Sequence, residues 1–435
     1  MRFAFLERDR PAVGRVLYPG ALPPPLDRLN VLSSPVTWTR KTPAQEHVWE
    51  VEATHPKWGT VDLACHRDGS ALPDVLIDHT LALSETEKAR ARLGQATIAV
   101  RVHTRPSQVL ADRKRLLFWL RALMEGDGVI GVDTTSQLLW SPAMLEDELA
   151  HDADLDIEAL YTIHAVSDGA DKSRVPWLHT HGLAALGAFD IDVLDPSPLF
   201  VSNCADPLRA AAFAALEGSI APDTPRFELA HPDGAVRFVP VEEFHAHASP
   251  EHQRLRELDA AHGAPRAVLC EPVGGLFGRW RTRPVPSRFL STMRDDRFVT
   301  PFSKAATALM AARARQTIGV FGRLREEFAS LGLPAVAKLG YEVEGGEADE
   351  REHLWFEVHD ITGDTIDATL ANRPFRVPGL TAGERRVHDL ARLTDWTIMS
   401  PEGQMTPRNL GAARRLRETR STWQTLLDEA KSRPS

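Results

Sequence analysis

The sequence predicts an α+β protein. Mixed sheets with packed helices form an N-terminal body, and a long helix and a small curved antiparallel β-domain follow. Three observations carry this prediction. Strand-like and helix-like periods alternate through residues 46–300. Phe321, Leu324, Phe328 and Leu331 make one apolar stripe at helical spacing, which marks a helix over 303–331. Beyond Gly332 and Pro334 the texture changes to short strands separated by turn formers.

In chain order, residues 1–45 are dense in proline (Pro11, Pro19, Pro23, Pro24, Pro25, Pro35, Pro43) and are expected to be an extended arm poor in regular structure. Residues 46–140 read as an α+β domain. It opens on a hairpin, His47 to Thr54 and Thr60 to His66, turning at Pro56 and Gly59. Residues 84–94 form a short helix capped by Ser84, with Glu87 three residues later. Ala96 to Val102 is a strand, Pro106 to Met124 a helix and Val129 to Val132 a buried strand; this strand–helix–strand order predicts parallel neighbours.

A second α+β domain covers 141–300. Ser141-Pro142 opens a helix, and strands are expected near 157–166, 175–181, 189–194, 226–229, 235–241 and 267–270. An alanine-rich helix falls at 206–218 and a further helix near 250–262. Residues 301–334 form the connecting helix and 335–410 the small β-domain, with Thr362-Gly363-Asp364 and Pro378-Gly379 as turns. A basic terminal helix occupies 411–435 and carries Arg414, Arg415, Arg417 and Arg420.

Composition bounds the function. A chain of 435 residues suggests roughly three domains. Fifty-one Lys and Arg against 60 Asp and Glu give a net charge of −9, which argues against general nucleic-acid affinity. No apolar run approaches the ~18 residues that span a bilayer. Glu7, Arg8, Asp9 and Arg10 interrupt any signal-like stretch, so a cytoplasmic protein without membrane contact is expected. Three scattered cysteines (Cys65, Cys204, Cys270) fit a reducing compartment and cannot build a cysteine zinc module.

The residues Trp355, Glu357 and Val358, then Leu370, Asn372 and Pro374, then Asp395-Trp396 occur in an order that resembles the YegJ-like family of uncharacterised bacterial domains, over roughly 335–410. The preceding region, with the phrase WLHTHGLAALGAFDIDVL, looks like the uncharacterised bacterial regions that precede such a domain. The resemblance implies an architecture and no catalytic mechanism.

Two constellations are candidates for function. His179 and His181 flank Thr180 in a segment read as a strand, so both imidazoles face one way and can converge on a zinc ion. His164, His151 and the pair His245 and His247 are nearby in sequence, and Asp190 or Glu148 is the candidate base for a metal-bound water. Trp355 and Trp396 are expected to wall a ligand groove in which Glu357 and Asp395 fix a polar group; the structural alternative has a tryptophan filling the barrel mouth and the aspartate capping a turn.

Other patterns fall away. Asp152, Asp154 and Asp156 resemble the start of an EF-hand, but Ile157 and Ile163 stand where Gly and Glu are needed. Arg279, Trp280, Arg281 and Arg283 have the residue mixture of a phosphate site, yet in an acidic chain they are expected to pair internally. No nucleophile elbow or phosphate loop is present. The resulting expectation is an uncharacterised bacterial protein, a non-enzymatic binder of an unknown protein or small molecule, with no cofactor. The alternative is a metal-dependent hydrolase using His179 and His181, with zinc.

Overall fold

The computed structural model describes residues 11–432 except 23, 34, 70, 79, 105–107, 151–156, 167–176, 204, 230–233, 258–264, 274–282, 293–301 and 347–349. The chain divides into two compact units, one comprising 1–69, 96–140 and 157–306, the other 70–95, 141–156 and 307–435. The class is α+β; among the described residues there are three sheets and no closed barrel.

The first unit holds two sheets. Its first sheet comprises β1 (Ala12–Pro19), β2 (Thr37–Lys41), β3 (His47–His55), β4 (Gly59–His66), β5 (Gly94–Val102), β6 (Ile130–Asp133) and β7 (Leu138–Trp140), in the order β2-β3-β4-β5-β1-β6-β7. The expected hairpin is β3 and β4. Two expectations are corrected here. The supposed irregular arm contains β1, an interior strand of the sheet. Its prolines flank the strand instead of interrupting it: Pro11 precedes it and Pro19 ends it, so the interior amides stay free to pair. For the same reason β5 and β6 are not neighbours; β1 lies between them and runs antiparallel to β6. β1 is so closely packed that a Cβ at Gly14 would lie 2.9 Å from the Val132 carbonyl of β6 and 3.1 Å from Leu116 of the helix Val109–Leu123.

The second sheet comprises β8 (Thr162–Val166), β9 (Trp177–His181), β10 (Asp190–Leu194), β11 (Phe227–Glu228), β12 (Ala235–Pro240) and β13 (Arg266–Cys270), ordered β11-β12-β13-β10-β9-β8. Only the β10–β13 pair is parallel. Trp177, Leu194, Val239, Val268 and Cys270 pack under Val241 and Phe244 of the helix Val241–His245.

The second unit is built on β14 (Ala335–Glu342), β15 (Arg351–Thr362), β16 (Thr365–Leu370), β17 (Arg385–Asp389), β18 (Leu393–Ser400) and β19 (Gly403–Met405). Their order is β17-β16-β15-β14-β18-β19, antiparallel throughout. The helical stretch expected over 303–331 runs as two helices, Lys304–Gln316 and Ile318–Glu327. The break falls at buried Thr317. Its hydroxyl donates back to the Arg313 carbonyl at 2.9 Å, a bond that bends helices, and accepts the Trp396 indole N–H at 2.9 Å. Trp396 then packs on Phe321, with ring centroids 5.2 Å apart, at the centre of the core with Phe356 and Leu339.

Two segments from earlier in the chain complete this unit. The helix Glu85–Ala91 carries the expected capping box between Ser84 and Glu87, and Pro142–Leu149 is capped by Ser141. Glu87 also accepts from the Ser141 hydroxyl and pairs with Arg414. The arginines of the terminal helix Gly411–Ser432 pair within the unit: Arg414 with Asp147 at 2.8 Å, Arg417 with Glu327 at 2.7 Å and Arg415 with the Glu402 carbonyl at 2.6 Å.

Burial holds His353 and His388 below the ordinary histidine value of 6.5, and neighbouring cations push the same way. Unfolded chains therefore take up protons near that value while the native sheet does not. Stability is full above pH 6.5 and falls as pH drops through it. The urea midpoint should be lower at about pH 5.5 than at about pH 7.5, and a His353→Gln/His388→Gln variant should show a smaller difference between the two.

Candidate functional site

Buried charge and three histidines meet on one face of the second sheet of the first unit. Trp177, His179 and His181 alternate along β9 and so share that face. In register, His179 stands opposite His164 on β8 and Asp192 on β10. The structure therefore brings His179 and His181 together and adds His164, whose ring lies 5.2 Å from His179 and 5.7 Å from His181, nearly parallel to the latter. Trp177 lies 4.2 Å from His179, and the Arg266 guanidinium sits 5.1 Å over the indole. The result is a row of adjoining groups, Arg266, Trp177, His179, His164 and His181, in which His164 meets His179 edge-on and stacks on His181. It starts at a buried charge and ends at half-buried imidazoles.

The buried end is fixed by a two-pronged ion pair. Arg266 donates to both Asp192 oxygens, at 2.7 and 2.8 Å through Nη2, and the Trp177 indole N–H donates to Asp192 Oδ1 at 3.0 Å. Asp192 and Arg266 are 2% and 6% exposed, so the pair is held away from water and every charge has its partner inside the protein.

Between the two histidines, the Thr180 hydroxyl donates to Asp190 Oδ1 at 3.1 Å and accepts the Ile191 amide at 2.8 Å. Asp190 Oδ1 also accepts the Leu183 amide at 3.0 Å, so one of the two candidate bases locks the turn after β9. The other, Glu148, belongs to the second unit, where it accepts from Arg313. Gly182 begins that turn at φ +118°, with the Leu160 carbonyl 2.8 Å from where a Cβ would stand. His245 ends the helix Val241–His245 and His247 lies exposed beyond it, so the second His-x-His is not on a strand. Among the described residues no three His, Cys, Asp or Glu side chains are arranged to hold a metal ion.

The expected tryptophan groove is corrected by register. Lys338 pairs with both Trp355 and Asp395, whereas its neighbour Ala337 pairs with Trp396. Successive residues face opposite ways, so Trp355 and Asp395 share the outer face while Trp396 is fully buried on the inner one. No groove is walled by both indoles. Lys338 Nζ lies 5.2 Å over Trp355, and Arg408 donates to Asp395 at 2.8 Å.

Glu357 does line a groove, formed with the helix Ile318–Glu327 and enclosing about 390 Å³. Leu324, Phe328, Leu333, Ile361 and Ile398 form its apolar floor, and Glu326, His359 and Asp360 stand at its rim. Burial presses the Arg325 guanidinium below its ordinary value; it donates to the Val358 and His359 carbonyls, each at 2.9 Å.

A second cleft, of about 490 Å³, opens in the first unit beside Glu52, Asp62, His103, Asp112 and Arg115. Burial raises Asp62, but Lys41 at 2.5 Å and His103 at 3.3 Å outweigh it and hold the carboxyl below its usual range. Cys65 and Cys270 are buried, with their thiols pushed up to about 11 and about 12, which keeps them unreactive. The Asp152–Asp154–Asp156 run, the Trp280 stretch, His151 and Cys204 lie outside the described residues.

Two stretches of the chain match family models. Residues 163–246 match "Protein of unknown function (DUF4026) C-terminal", which begins within β8 and includes the histidine row up to Asp192. Residues 306–407 match "Uncharacterized protein conserved in bacteria (DUF2314)", which covers the third sheet, its groove and Trp396. Both are bacterial or uncharacterised domains by description, and together they leave the first sheet unmatched. No curated protein and no solved structure matches the chain.

Sequence reasoning missed the Asp192–Arg266 pair and both clefts. One signal was available: Asp190-Ile191-Asp192-Val193-Leu194 sets carboxylates inside an apolar strand, and such carboxylates need a cation. Arg266→Met should cost about 3–5 kcal/mol by stranding Asp192. Adding Asp192→Asn, which keeps an acceptor for Trp177 while removing the charge, should recover part of that loss in urea denaturation.

Proposed function

We propose that this is a non-enzymatic binding protein of the bacterial cytoplasm, that its C-terminal segment is a YegJ-like domain, and that the groove beside Glu357 is its binding site. The groove itself carries the reading. It joins an apolar floor to a few polar groups at the rim, the composition of sites that take small ligands or side chains, at the lower end of their usual size range. No helix of the described residues is long and apolar enough to cross a membrane, which agrees with an aqueous partner. Gly322 lines the groove and nothing stands within 4 Å of where its Cβ would be, so Gly322→Trp fills the space without a core clash. In a screen of capped tripeptides by amide NMR, shifts should cluster on Arg325, Glu326, Glu357 and His359 and vanish in Gly322→Trp. Shifts that ignore the substitution would refute the assignment.

A second reading, a metal-dependent hydrolase using His179 and His181, rests on their shared face on β9, although with His164 they do not form a three-ligand metal site among the described residues. Zinc would bind imidazole nitrogens and keep a position open for water. Protein purified without added metal should then carry zinc that His181→Ala loses. Less than about 0.1 zinc per chain, with stability unchanged by chelator, would remove this reading.

A further inference from the structure

We propose that the groove receives a lysine or arginine side chain from a peptide segment, an inference that rests on the groove being the binding site. The sign of the ligand follows from its rim. Glu326, Glu357 and Asp360 are among its lining residues, three acidic residues against the one arginine, Arg325. Among the described residues Glu326, Glu357 and Asp360 form no ion pair within contact distance; Arg325 attracts Glu326 and Asp360 electrostatically, and Asp360 accepts the Thr362 hydroxyl at 2.8 Å. Arg325 is already committed: its Nη2 serves two backbone carbonyls and its guanidinium lies 5.7 Å over the Phe321 ring. His359 is taken up with the Thr369 hydroxyl at 2.7 Å. The lining therefore carries a net negative charge, three carboxylates to one guanidinium, beside an apolar floor.

A basic side chain is the group that satisfies both. Its aliphatic stem covers apolar surface while its charged head stays at the wet edge beside the carboxylates. The mode of binding follows from β15. That strand runs to Thr362, but β14 pairs with it only as far as Glu357. The following residues lack a strand on that side, and Arg325 occupies the Val358 and His359 carbonyls. An incoming main chain finds those two acceptors taken, so side chains carry recognition. Exposed Glu326 and Ala329 on one bank, and exposed Glu357, His359 and Asp360 on the other, leave the groove open for a chain to pass above.

The test uses the full chain and calorimetric titration with capped Leu-Lys-Leu, Leu-Arg-Leu, Leu-norleucine-Leu and Leu-Glu-Leu peptides, and with 1,5-diaminopentane. Exposed ion pairs are each worth up to about fivefold, so the basic peptides should bind about tenfold more tightly than the norleucine peptide. That advantage should shrink at about 0.5 M salt. It should disappear in Glu326→Gln/Glu357→Gln, to which the basic and norleucine peptides should bind equally. Gly322→Ala serves as the folding control, since alanine favours the helix and its Cβ meets open space. Equal binding of the lysine and norleucine peptides would overturn the charge assignment and leave the groove reading standing. Diaminopentane binding as tightly as the peptides would overturn the peptide assignment. If no peptide binds the wild type better than Gly322→Trp, the groove reading falls as well.

Discussion

Strand alternation decides where each candidate side chain of this protein goes. Trp177, His179 and His181 share a face because they are two apart on β9, and cross-strand register then sets His164 and Asp192 against them. One step of register separates the outer face from the core in the third sheet. Lys338 carries Trp355 and Asp395 outward, and Ala337 carries Trp396 inward. A pair adjacent in sequence, Asp395-Trp396, is thus divided between solvent and core. The aspartate meets Arg408 and the tryptophan meets Thr317.

Local chemistry was legible in the sequence. The capping box at Ser84 and Glu87, the cap at Ser141, the β3–β4 hairpin and the two-residue spacing of His179 and His181 all depend on residues within a few positions of one another. Long-range pairing was not. Nothing near Ala12 indicates that β1 will lie between two strands that a helix connects, and the surrounding prolines point the other way. The break at Thr317 was hidden for a similar reason, because its cause includes an indole 79 residues downstream. The candidate groove was half legible: Glu357 lines it, but the indoles expected to wall it lie elsewhere, since strand order and register were needed to place them.

The acidic balance of the chain has a structural counterpart. Many of its arginines are spent on its own carboxylates: Arg266 on Asp192, Arg113 on Asp133, Arg414 on Asp147 and Arg417 on Glu327. The buried pairs contribute little net stability over apolar residues of the same shape, but each is costly to break, so they fix which partners can meet. The terminal helix, basic by sequence, is consequently committed to its own unit through Arg414, Arg415 and Arg417.

Arg325 has a consequence beyond its own neighbourhood. A long strand whose final residues outrun their neighbour is a template on which another molecule can lay a strand of its own, and such additions propagate into polymer. Two carbonyls at the overhang of β15 already have a guanidinium as their donor. One arginine on a neighbouring helix thereby takes two of the acceptors that an added strand would need.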